Sequence, residues 1–162
     1  MKQAFIIIMT SALIACCQRS DKLLVLETRI DSLENRISES YKPGFGEFMS
    51  NIQAHHAKLW YAGLNQNWDL ANFEIQEIME NLEDIQKYES ERKESELIVM
   101  INPALDSVNF AIEQKNPELF KNSFTLLTNT CNECHVAAKF EFNVIKIPET
   151  PSFSNQEFKV NP

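Results

Sequence analysis

The sequence predicts an all-α protein in which a helical stalk leads into a domain of four helices, and three observations carry that prediction. Glycine is scarce, with 3 residues in 162. Leu, Ile, Ala, Glu and Lys recur at helical spacing along most of the chain, and sustained strand-type alternation is hard to find. Short polar or Pro-containing stretches (Pro43-Gly44, Asn65-Gln66-Asn67, Glu89 to Glu96, Asn116-Pro117) separate the periodic segments. A chain of this length holds one domain with its own core and leaves residues over. Its 15 Lys+Arg stand against 23 Asp+Glu, a formal charge of −8. Nucleic acid is therefore not an expected partner, because neutralising phosphates needs a basic surface, whereas a basic protein partner suits the charge.

Residues 1–15 read as a secretory signal, with Lys2 ahead of the apolar run Ala4 to Met9 and then Leu13-Ile14. The run is too short for a membrane-crossing helix, which needs about 20 apolar residues. Leu13-Ile14-Ala15-Cys16 resembles the bacterial lipobox, in which the leader is cleaved and the cysteine lipidated, so Cys16 would be the first mature residue and the membrane anchor. An ordinary cleaved signal and an uncleaved N-terminal anchor are the alternatives. The expectation is an exported, membrane-anchored lipoprotein facing the periplasm. Cys17 has no assigned role.

Residues 16–44 are the expected stalk. Leu23, Leu26, Ile30, Leu33 and Ile37 alternate by three and four residues, which places Leu23, Ile30 and Ile37 at heptad a and Leu26 and Leu33 at d. Charged residues of both signs lie between them, as on a solvated coiled-coil surface. About two and a half heptads are marginal for an isolated coil. Two readings follow: residues 22–39 oligomerise and hold the domain off the membrane, or they form a lone helix that packs on the domain. Pro43-Gly44 ends the segment.

The domain occupies residues 45–141. The first helix covers Phe45 to Leu64, with Phe48, Met49, Ile52, Leu59, Trp60 and Gly63 on one stripe and His55-His56 in its middle. Asn67 caps the second helix, which runs to about Tyr88 on Trp68, Ala71, Ile75, Ile78, Leu82 and Ile85. Glu74, Glu77, Glu80 and Glu83 recur along it as an acidic ridge, read as a solvated face or a dock for a basic partner. The third helix carries Leu97 to Ile112, with Pro103 either kinking it or marking where a short turn gives way to a longer helix. Asn116-Pro117 starts the fourth, whose stripe is Phe120, Phe124, Leu127, Cys131, Cys134, His135 and Ala138. Residues 142–162, with Pro148, Pro151 and Pro162, read as an extended tail.

Cys131-Asn132-Glu133-Cys134-His135 carries the chemistry, because C-x-x-C-H is the spacing that attaches a haem covalently. Two thiols three positions apart can add to the two vinyl groups of one porphyrin, and the adjoining imidazole then lies beneath the iron. The competing readings are a zinc site, with His56 as fourth ligand, a thioredoxin-like dithiol, or a chance spacing. Export favours haem over a cytosolic dithiol, and no βαβ pattern supports the latter.

A C-x-x-C-H on the last of four helices with short connections resembles the class II c-type cytochromes, the cytochrome c prime group and its low-spin relatives. The resemblance covers about Phe45 to Glu141. It implies an antiparallel four-helix bundle carrying one haem c, with Cys131 and Cys134 as thioether attachments and His135 as proximal iron ligand. It also implies a basic residue four positions beyond that histidine, here Lys139, as partner of a haem propionate. The stalk and lipobox are departures. So is the His55-His56 pair, because the family presents Met or an apolar group to the distal side. Neighbouring residues sit about 100° apart around a helix, so one of the pair at most points at an iron. His56 is the expected distal ligand, since it shares a face with Met49, Ile52, Trp60 and Gly63, and His55 is the weaker candidate. Gly63 would leave room for the porphyrin. Met49 and Met100 are further candidates, though core filling also explains them.

The resulting expectation is a monohaem electron-transfer protein rather than an enzyme. The alternatives are a haem-based binder or sensor of small ligands such as nitric oxide, carbon monoxide or peroxide, and a non-haem structural or zinc-binding helical module.

Overall fold

The computed structural model describes residues 22–37 and 43–160. The leader 1–15, Cys16, Cys17 and the end of the stalk lie outside the described residues. The described chain is helical throughout its regular structure, as expected, and falls into two compact units that divide between Lys42 and Pro43. The first unit holds α1, residues 22–37. Leu23, Leu26, Ile30 and Leu33 on this helix are each more than half exposed.

The second unit contains α2 (Phe45–Leu64), α3 (Trp68–Tyr88), the single turn α4 (Lys93–Glu96), a 3₁₀ turn (Leu97–Ile101), α5 (Asn102–Glu113) and α6 (Pro117–Ala137). Pro103 falls in the first turn of α5, where its missing N–H costs no hydrogen bond, so a short turn gives way to a separate helix rather than one kinked helix. Side-chain caps start two of the long helices. Asn67 accepts from the Leu70 amide, and Asn116 accepts from those of Glu118 and Leu119.

Three helices stop by one device. Gln66 (φ 55°), Lys115 (φ 49°) and Lys139 (φ 65°) each take the left-handed conformation just beyond α2, α5 and α6. In each case the next amide turns back to the helix, Asn67 to Ala62, Asn116 to Ala111 and Phe140 to His135, which is the Schellman pattern. Asn67 and Asn116 therefore close one helix through the backbone and cap the next through the side chain.

Helices α2 and α3 pack together, α3 packs on α5, α5 on α6, and α6 on α2. Between α2 and α6 an aromatic ladder shows the two helices running antiparallel. Gly63 meets Phe120, Trp60 lies against Phe120 and Phe124 at centroid distances of 6.3 and 4.9 Å, and His56 lies on Phe124 at 4.4 Å. The core fills with Leu59, Ala71, Ile75, Ile85, Val108, Phe120 and Phe124, all fully buried.

The tail belongs to this same unit. Residues 142–160 contain no helix or strand, yet the Asn132 side chain both donates to the Ile145 carbonyl and accepts from the Ile145 amide at 2.8 Å. Further along, the Tyr61 hydroxyl donates to the Pro148 carbonyl at 3.2 Å, and Phe158 is buried against Tyr61. These contacts lay the tail against α2 and α6.

Candidate functional site

The α6 stripe delivers Cys131, Cys134 and His135 to one cavity of about 210 Å³, walled on the α2 side by Gly46, Met49, Ile52 and His56. Ile78 and Leu82 of α3, Ile101, Leu127 and the tail residues Asn143 and Ile145 complete it. A second hollow of about 150 Å³ adjoins it, sharing Gly46, Met49, Cys134, His135 and Asn143. Together they lie near the small end of the range for ligand sites, about 300–1,000 Å³, and Ser50 and Gln53 in the first and Glu94 in the second add polar groups to an otherwise largely apolar lining.

His135 is held in one tautomer. Its Nδ1 lies 2.6 Å from the Asn143 carbonyl oxygen, which can only accept, so Nδ1 donates a proton there and Nε2 is the nitrogen left for a ligand. The Schellman turn at Lys139 brings the chain back beside α6, and the paired bonds from Asn132 fix the strand-like segment that presents this carbonyl.

Cys131 and Cys134 are free thiols. Burial, and to a lesser degree the neighbouring Cys134, pushes the Cys131 thiol up to about 12, and burial raises Cys134 as well. Both are therefore neutral thiols at pH 7, opposite to the depressed thiolate of an exchanging dithiol. Cys134 directs its Sγ toward the Leu97 carbonyl at 3.8 Å.

His56 is buried, with 4% of its surface exposed, and is committed elsewhere. Its Nε2 lies 2.9 Å from Thr128 Oγ1, and that hydroxyl donates to the Phe124 carbonyl, so Nε2–H is the donor and Nδ1 the bare nitrogen. Burial pushes its pKa down to about 4, so the ring is neutral at pH 7. Thr128 precedes His135 by seven residues, which along an α-helix is about 10 Å. The α2 residues that line both hollows beside His135 are instead Gly46 and Met49. Met100, on the 3₁₀ turn, lines neither hollow.

His55 faces α3. Its Nδ1 lies 2.6 Å from Glu74 Oε2, and Nε2 lies 3.8 Å from Glu77. Glu74 is 1% exposed, so this member of the acidic ridge is a core residue with a histidine partner rather than part of a solvated face. Gly63 makes room for the Phe120 ring and lines neither hollow. Lys139 is exposed and also lines neither. Among the described residues no three His, Cys, Asp or Glu side chains converge to hold a bare metal ion.

Sequence reasoning did not find Asn132, Asn143 or Thr128. Thr128 carried a signal, being a polar residue on the apolar stripe one turn before Cys131. Asn143 acts through its backbone, which no side-chain motif reveals. Compared with protein-family models, with curated proteins and with solved structures, the chain matches none.

Proposed function

We propose that this chain is an exported, membrane-anchored monohaem c-type cytochrome of the four-helix type that passes electrons. One observation carries the reading: His135, last residue of a C-x-x-C-H, lines a largely apolar cavity with Nδ1–H tied to a backbone carbonyl and Nε2 available. The donor set fits a porphyrin better than a bare metal, because a porphyrin supplies four of the iron's ligands itself and asks the chain for two thiols and one imidazole on a single turn. Bound there, haem c supplies one-electron chemistry through ferrous and ferric iron. Cys131 and Cys134 would tether it, and His135, oriented by the Asn143 carbonyl, would bind its iron. Met49, Ile52, Ile78, Leu82 and Leu127 would shield the group from water, lowering the local dielectric and so shifting its potential. Cys16 is the proposed lipid anchor, and a basic redox protein the proposed partner.

A second reading has an observation of its own. His56 is engaged by Thr128 about 10 Å along α6 from His135, which leaves Met49 and a hollow on the distal side. A small-ligand binder with an open sixth position follows if Met49 does not ligate. The protein made with haem-maturation machinery decides between these readings. A haem that stays with the chain after acid-acetone extraction supports the cytochrome reading, and a colourless product refutes it. A reduced spectrum unchanged by carbon monoxide supports electron transfer, and ready binding supports the ligand binder.

A further inference from the structure

We infer that α1 is the strand of a parallel, two-stranded coiled coil, so that the protein is a dimer of identical chains joined through residues 22–37. The seam positions Leu23, Leu26, Ile30 and Leu33 are 52–55% exposed on a helix of 16 residues, a length that is marginal in isolation and gains its stability by burying such a stripe against a neighbour. Leu26 and Leu33 occupy d and Ile30 occupies a. A β-branched residue at a with Leu at d favours two strands over three or four.

The flanking charges name the occupant and its direction. With Leu23 at a, the g positions are Lys22, Arg29 and Arg36, all basic, and the e positions are Glu27 and Glu34, both acidic. In a parallel pair each g residue faces the e residue five positions later on its neighbour, so Lys22 meets Glu27 and Arg29 meets Glu34, twice over by symmetry. In an antiparallel pair g faces g and e faces e, and every such contact is between like charges. The pattern therefore favours self-association in parallel and opposes the reverse arrangement. Glu27, Arg29 and Glu34 form no ion pair within the described residues, so they are available to a neighbour. Outward positions b, c and f carry Asp31, Ser32, Thr28 and Asn35, and the apolar exceptions Leu24 and Val25 fall at the N-terminal end. Two heptads alone are weak, and tethering both copies to one surface raises their effective concentration.

The test does not need haem, and it keeps Cys16 so that the proposed anchor holds both copies on one surface. The chain carrying Leu33→Cys, with Cys17, Cys131 and Cys134 each replaced by Ser so that no other thiol of the domain can pair, is treated with a thiol oxidant in the cells that make it. In a parallel pair the two substituted d positions face one another, whereas in an antiparallel pair a d position faces an a position, so each substituted residue would lie opposite Leu23 or Ile30 of its neighbour rather than its own copy. A disulfide-linked dimer band is expected. Adding Glu27→Lys and Glu34→Lys should weaken pairing on the order of a hundredfold and abolish the band. Co-expressing that variant with one carrying Lys22→Glu and Arg29→Glu should restore it as a mixed dimer. No band in the parent, an undiminished band in the lysine variant, or no restoration on mixing would each overturn the proposal.

Discussion

The Asn143 carbonyl oxygen lies 2.6 Å from His135 Nδ1, and the two residues are joined in sequence by the turn that ends α6. The histidine's orientation is thus set by the tail, a segment eight residues later, and the tail is itself set by Asn132 inside the Cys-x-x-Cys spacing. Asn132→Ala should free the 143–145 segment and loosen that hydrogen bond. In the proposed haem-bound protein, a histidine that donates less strongly would be a less basic ligand and would favour ferrous iron. Losing about 0.5–1.5 kcal/mol of hydrogen bonding corresponds to a rise in potential of about 20–60 mV for a one-electron couple. Protein-film voltammetry of the variant against wild type checks this, and Asn132→Asp should show an intermediate shift because one oxygen still accepts from the Ile145 amide.

His56 gives the protein a stability slope with pH. Its pKa is pushed down to about 4 in the folded chain and returns to about 6.5 on unfolding. Above pH 6.5 the ring is neutral in both states and has no effect. Between pH 6.5 and 4 the unfolded chain binds a proton that the folded chain refuses, so stability falls as pH falls. Below about pH 4 the loss levels off near about 3 kcal/mol. Urea unfolding at pH 7.5 and 4.5 should therefore show a smaller difference in His56→Gln than in wild type, by about 2–3 kcal/mol.

Much of the fold was legible because helical periodicity reports burial directly. Phe120, Phe124, Leu127 and Cys134 share one stripe in sequence and one buried face in the structure. The caps Asn67 and Asn116 were readable for the same local reason, since a side chain two or three residues from its amide needs no tertiary information. What escaped depends on partners far apart in the chain. His56 on the cavity-facing stripe was legible, and its capture by Thr128, 72 residues away, was not. Glu74 looked like one of four equivalent carboxylates until α2 placed His55 beside it. The tail showed no periodicity because it is held by single hydrogen bonds and one buried ring, Phe158, and neither leaves a repeating signal.

The acidic ridge of α3 should behave as two kinds of residue. Glu74→Ala removes the buried partner of His55 Nδ1 and leaves only Glu77, 3.8 Å from Nε2, at a cost of about 1–3 kcal/mol. Glu80→Ala, on the exposed side of the same helix, should change stability by less than about 0.5 kcal/mol. Chemical denaturation of both variants separates the two, and equal effects would mean that the ridge is a uniform solvated face.

Gly63 tests whether the aromatic ladder or the helix backbone governs the α2–α6 contact. In an exposed helix interior Gly→Ala is worth about 1 kcal/mol of added stability. Here an added Cβ would overlap Phe120 Cε1, and Phe120 is fully buried between Trp60, Trp68 and Phe124, with no open side to move into. Overpacking of this kind costs about 1–3 kcal/mol, so steric conflict outweighs propensity and Gly63→Ala should be destabilising. If the ring is the cause, Phe120→Leu in the Gly63→Ala background should recover part of the loss, although Phe120→Leu alone should be destabilising through the cavity it leaves. A double-mutant cycle read by thermal unfolding measures that coupling. Strictly additive effects would show that Phe120 is not what excludes a side chain at position 63.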